Sequence, residues 1–153
     1  MHIVVGIVTF DEAVLLIDRA KPPFKGFYAL PGGKVEDESA ADAVFREVVE
    51  ETGIEAADVV HVGRYDEVVI EDEIYEHDID VFHITPSSRT VTSSAEGNVA
   101  PYTPDEIAEI ERLVPSDRRI LKRFFDGERG FNAYIELHRR GDDYNVVDES
   151  LIE

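Results

Sequence analysis

The chain contains no cysteine and no tryptophan, a single methionine, and only four lysines against eleven arginines. Without cysteine, neither a disulfide framework nor a zinc–thiolate site can form. Long apolar runs are missing too: nothing approaches the ~20 residues that a membrane-spanning helix requires. The run from Ile3 to Val8 is short and has no cleavage region after it, so it does not read as a targeting segment. A cytoplasmic location is the default expectation. Basic residues are few, 15 against 34 acidic, for a net charge of −19. That deficit excludes duplex nucleic acid and anionic membrane as partners, because both demand a basic surface.

What is present is an ordinary globular composition, 43% apolar and 9% aromatic, over 153 residues, which suits one domain spanning 1–153 with a substantial core. The acids are spread from end to end. Dispersed acidity with little lysine resembles the proteins of salt-loving organisms, where screening relieves self-repulsion.

Apolar patterning predicts strands over His2–Phe10 and Ala13–Arg19 around a turn at Asp11–Glu12, and a short strand over Phe27–Leu30. Two further strands, Val59–Ile70 and Ile74–Ile84, flank an acidic turn. The Ser/Thr-rich stretch from Pro86 to Pro104 reads as a long loop, either a lid or an inert insertion. Asp105–Leu113 is a short amphipathic segment, and Ser116–Phe125 a helix with Ser116 as N-cap. Phe131–Leu137 and Tyr144–Val147 form a C-terminal β-hairpin around Arg140–Asp143. The intermediate result is an α/β fold with a mixed sheet flanked by helices.

The most informative segment is residues 32–54. Gly32 and Gly33 precede Glu38, and Arg46-Glu47-Val48-Val49-Glu50-Glu51-Thr52-Gly53-Ile54 follows at fixed spacing. Ser39 is an N-cap candidate, Ala40–Thr52 has no Gly or Pro, and Gly53 is the expected stop. At ~100° per residue, Ala41, Val44, Phe45 and Val48 share one side of the helix, while Glu47, Glu50 and Glu51 share an adjacent arc. Three carboxylates so close repel one another unless a hard cation such as Mg²⁺ or Mn²⁺ joins them. The double glycine is expected to turn sharply and to offer a carbonyl, Gly32, as a further ligand.

Together with Leu30-Pro31-Gly32-Gly33, this string resembles the signature box of the Nudix hydrolases, which cleave nucleoside diphosphates linked to another moiety. The run Val35-Glu36-Asp37-Glu38-Ser39 is one residue shorter than the family's usual loop, and counting from Gly32 keeps the box intact. The resemblance implies an α/β/α sandwich over residues 1 to about 126, with the hairpin outside it. It also implies metal-dependent attack of water on a diphosphate bridge, with Glu50 or Glu51 assisting deprotonation and Arg46 pairing with Glu38 to hold loop and helix together. A further acidic ligand from the region after the central strands is implied at Glu109, ahead of Glu106. A catalytically silent, nucleotide-sensing domain and a merely acidic binding domain are the alternatives; loss of a helix carboxylate would have favoured the sensor, and none is lost.

Arg19, Lys21, Lys25 and Lys34 are cations flanking the box, and Lys34 is well placed for a phosphate oxygen. Tyr28, Phe27 and Tyr102 could stack on a ring, although aromatics more commonly fill cores. His77 and His83 lack a third partner, so a metal role is not argued for them. The markers of ADP-ribose, dinucleoside-polyphosphate and NADH substrates that the resemblance would place downstream are absent. A small nucleotide-like substrate remains, with a homodimer as the one protein partner left open.

Overall fold

The computed structural model describes all residues from Met1 to Glu153. In chain order the elements are β1 (His2–Phe10), β2 (Ala13–Arg19), β3 (Tyr28–Ala29), β4 (Gly32–Lys34), α1 (Ala40–Thr52), β5 (Ala56–Ile70), β6 (Ile74–Pro86), β7 (Gly97–Tyr102), α2 (Pro104–Glu109), α3 (Pro115–Phe125), β8 (Phe131–Arg140) and β9 (Asp143–Leu151). The main sheet path runs β3-β2-β1-β6-β5-β8-β9, with β4 on β1 and β7 on β2. Strand β1 lies parallel to β6, and β5 parallel to β8; the other pairs are antiparallel. The sheet is therefore mixed, as expected.

Period-two alternation in β1 explains the layering. Val4 and Val8 point to one face, where they pack with Val44, Val48, Phe82 and Ile84 under α1. Val5 and Ile7 point to the other, joining Tyr65, Val81, Ile120 and Leu121 under α3. Gly6 lies on the α1 face, where a Cβ would come within 3.0 Å of Val48, so its small size lets the helix settle close to the sheet. The result is an α/β/α sandwich.

Several expectations are corrected. The buried stripe of α1 is Ala43, Val44, Val48, Glu51 and Thr52, whereas Ala41 and Phe45 are exposed. The apolar face thus runs into the carboxylate face instead of lying beside it. Residues 86–104 are not one long loop: Gly97–Tyr102 pairs with β2 from Arg19 to Val14, which ties its second half into the sheet. Helix α3 starts a residue earlier, with Val114 at the N-cap, Pro115 following it and no side-chain cap; Ser116 lies inside the helix and is buried. The C-terminal hairpin is longer than its apolar pattern suggested, and β8 extends the central sheet by pairing with β5 from Gly63 to Ile70. No helix is long and apolar enough to cross a membrane.

Candidate active site

Helix α1 is held as the sequence predicts. The Ser39 hydroxyl accepts from the Asp42 N–H at 3.1 Å, and Gly53 ends the helix in the left-handed region at φ 75°. That conformation is easy only for glycine.

The double glycine does something different from what was expected. Gly32 and Gly33 are not in a turn but in strand β4, paired with Val5 and Val4, and neither has a positive φ. Their need for glycine is steric. A Cβ on Gly32 would stand 2.1 Å from the Val4 carbonyl oxygen, and one on Gly33 would stand 2.5 Å from the Glu47 carboxyl carbon. The strand therefore presses its bare backbone against β1 on one side and against the α1 carboxylates on the other.

Three glutamates meet this backbone unequally. Glu51, 5% exposed, accepts from the Gly32 N–H at 3.1 Å. Burial pushes the Glu51 carboxyl up to about 8, the Gly32 N–H opposes this, and the neighbouring Glu47 charge adds to it. Glu47 is also raised, first by burial and against the pull of Arg46. Glu50 turns outward, its side chain 57% exposed, with one long contact of 3.5 Å to Arg46. The expected three-way convergence is thus a pair plus a solvent-facing third, and no three acidic or histidine side chains are gathered into a ready-made ligand set. The reason is angular: residues 47 and 51 are one turn apart and share a face, while residue 50 is offset around the helix by roughly 60°.

Arg46 organises the loop. Its guanidinium donates to both Glu38 oxygens, as close as 2.7 Å, to Glu47 at 2.9 Å and to the Lys34 carbonyl at 3.1 Å. The fork geometry of arginine suits this bidentate task. The hydrogen bond from Arg46 lowers the Glu38 carboxyl below its usual range.

Gly32, Gly33 and the three helix glutamates line a cavity of about 920 Å³ that also takes in Arg19, Lys34, Glu67 and Asp117. Glu67 and Asp117 were not anticipated. Glu67 is 5% exposed and pairs with His77 Nδ1 at 2.8 Å; Asp117 is 4% exposed and accepts from the Leu30 N–H at 2.9 Å. Burial pushes Asp117 up to about 7. The signal for Glu67 was readable: it sits between Tyr65 and Val69 on the inward face of β5, so alternation alone buries it. Asp117 carried no such signal beyond its place in the first turn of α3.

Other candidates fall elsewhere. Glu109 is exposed at the end of α2 and does not line the cavity, while Glu106 is engaged in the capping box with Thr103. Short α2 follows a capped turn that aims both acids at solvent. Tyr28 packs edge-on to Tyr102, ring centroids 5.6 Å apart, and is likewise off the cavity.

The NUDIX domain matches residues 1–131 of this chain. The chain belongs to the Nudix family. Over 50 residues, 32% of this chain and 30% of the other, it is 54% identical to the ADP-ribose pyrophosphatase of Methanocaldococcus jannaschii; the match thus spans less than a third of that relative's length. It is 30% identical to the CTP pyrophosphohydrolase of Escherichia coli over 81% of this chain and 90% of that one. Among solved structures, a mutator MutT protein from Bacillus halodurans superposes with a TM-score of 0.80 at 27% identity, covering 98% of this chain and 96% of that one. This Nudix protein is accordingly a pyrophosphohydrolase.

The donor set fits the divalent cation that the family implies. Every candidate ligand is a hard oxygen, and the buried Glu51 and half-buried Glu47 carboxylates stand close together against the bare backbone of β4, a crowding that a divalent cation would relieve.

Proposed function

We propose that this Nudix enzyme hydrolyses a diphosphate bridge in a nucleoside diphosphate carrying a further group, such as a nucleoside triphosphate or a nucleotide-sugar. The observation that carries the reading is the Glu47–Glu51 pair pressed against the glycine backbone of β4 at the wall of the cavity. Glu47, Glu50 and Glu51, with the Gly32 carbonyl, are the residues that would hold Mg²⁺ or Mn²⁺. When bound, such a cation supplies charge neutralisation for the diphosphate and an acidified water.

The chain's own groups perform the remaining tasks. Arg46 fixes the Glu38 loop and sets the Glu47 rotamer. Glu50, facing solvent with a single long contact, has free lone pairs with which to accept a proton from water. Arg19 and Lys34 line the same cavity and are suited to phosphate oxygens. The names of the relatives, an ADP-ribose pyrophosphatase and a CTP pyrophosphohydrolase, support a nucleotide-like substrate. The dispersed acidity supports a working environment of high salt.

The test is a panel of nucleoside triphosphates, nucleotide-sugars and ADP-ribose, assayed for released phosphate, pyrophosphate and nucleoside monophosphate in molar KCl. Turnover with Mg²⁺ or Mn²⁺ that stops in chelator is expected, together with a melting temperature raised by the metal. No turnover of any diphosphate with either metal would overturn the assignment of substrate class.

A further inference from the structure

The NUDIX match ends at residue 131, but the wall of the cavity does not. Tyr144, the second residue of β9, is one of its lining side chains, as is Phe24 from the loop between β2 and β3. Their ring centroids lie 4.4 Å apart with planes inclined at 48°, and Phe27 meets both edge-on, at 5.6 Å from Phe24 and 6.0 Å from Tyr144. The Tyr144 hydroxyl donates to Glu71 at 2.9 Å, and Glu71 also lies 3.6 Å from Arg139 on β8. Tyr144 is therefore fixed at both ends, by rings at one and by a carboxylate at the other.

Two features argue that this is more than packing. Phe24 sits at φ 62°, in the left-handed region that a bulky side chain adopts only at a cost and that is concentrated at functional sites. Both rings are only half-buried: they pack against the core on one side and line the cavity on the other. Their position along the site is informative too. Glu47, Glu50 and Glu51 line the same cavity as Phe24 and Tyr144, so the carboxylates and the rings open onto one volume. A ligand that carries both phosphates and a planar ring, a nucleotide, matches such a lining.

We propose that Tyr144 and Phe24 form a stacking platform for the planar ring of the substrate, so that the C-terminal hairpin, outside the matched domain, supplies a determinant of ring specificity. The proposal rests on the nucleotide-like substrate proposed above. Stacking of a base on an aromatic side chain tolerates any base and is lost on truncation to alanine.

The experiment measures binding, so that it does not depend on hydrolysis. Calorimetry at fixed Mg²⁺ and salt would compare AMP, CMP, GMP and UMP with ribose 5-phosphate, which keeps sugar and phosphate but has no ring. In the wild-type protein at least one nucleotide is expected to bind about tenfold or more tighter than ribose 5-phosphate. Tyr144→Ala should abolish that advantage and leave ribose 5-phosphate unchanged, while Tyr144→Phe, which keeps the ring and loses the bond to Glu71, should stay within about threefold of wild type. Should Tyr144→Ala not fold by circular dichroism, Phe24→Ala carries the same expectation. Equal losses for nucleotide and ribose 5-phosphate, an unchanged nucleotide affinity in the alanine variant, or no nucleotide preference in the wild type would overturn it. A ring-dependent affinity in a protein that hydrolyses none of the diphosphate panel would keep the platform and remove the hydrolytic assignment, so the two failures are separable.

Discussion

Two adjacent glycines are expected to respond oppositely to the same substitution. In Gly33→Ala the new methyl would stand 2.5 Å from the Glu47 carboxyl carbon and 2.6 and 2.8 Å from its oxygens. Ordinary carbon contacts are about 3.5–4.0 Å, so the carboxylate must retreat by roughly 1 Å. It can do so, because it is the far end of a flexible side chain. The stability change should therefore stay within about 1 kcal/mol. The catalytic geometry should suffer far more, since a misplacement of that size costs up to about a hundredfold in rate.

In Gly32→Ala the obstacles are the Val4 carbonyl oxygen at 2.1 Å, the Val5 Cα at 2.9 Å and the Val4 carbonyl carbon at 3.0 Å, all of them backbone. None of these can swing aside. Relief requires β4 to part from β1, at the expense of the pairs Ile3–Lys34, Val4–Gly33 and Val5–Gly32 and of the Gly32 N–H bond to Glu51. That loss should be about 3 kcal/mol or more, a large fraction of the ~5–15 kcal/mol by which domains are stable. Urea unfolding at fixed salt, paired with a turnover assay on the folded fraction, measures both effects. Gly33→Ala as unstable as Gly32→Ala, or stable and fully active, would refute the steric account of the double glycine.

Glu50→Gln and Glu51→Gln should each lower turnover by about a hundredfold or more with an unchanged circular dichroism spectrum, because an amide is a poor ligand for a hard cation and cannot accept water's proton; near-wild-type rates would remove that residue from the mechanism. Asp117 gives a pH signature: the folded protein keeps its proton between about 4 and 7, where the unfolded chain has released it, so its contribution to stability falls as pH rises through that window, by at most about 1.4 kcal/mol per unit, and is flat above pH 7. Urea titrations of wild type and Asp117→Asn from pH 4 to 8 should therefore differ in slope only below 7, and parallel profiles would show that Asp117 is not desolvated. A net charge of −19 should make the melting temperature climb between ~0.01 M and ~1 M KCl, as the screening length falls from about 30 Å to about 3 Å; a flat profile would defeat the high-salt reading and leave the family assignment intact.

The sequence by itself determined the helix that carries the chemistry. Ser39, the uninterrupted run from Ala40 to Thr52 and Gly53 are local signals, and helix capping and propensity act over a few residues, so the bounds of α1 were readable from the chain. The early strands were readable for the same reason, since period-two burial in β1 and β2 needs only near neighbours. Tertiary structure decided whatever depends on a distant partner. The double glycine looked like a turn because glycine usually supplies one, and only β1 beneath and Glu47 above show that its small size was the requirement. Residues 97–102 looked like loop because their pairing energy comes from β2, some eighty positions earlier. Glu67, Asp117 and Tyr144 reach one cavity from β5, α3 and β9, and no local pattern records that meeting. The carboxylate register is a property of one helix, whereas the cavity above it is a property of the closed sandwich, where burial far apart in the chain sets charge, protonation and shape together.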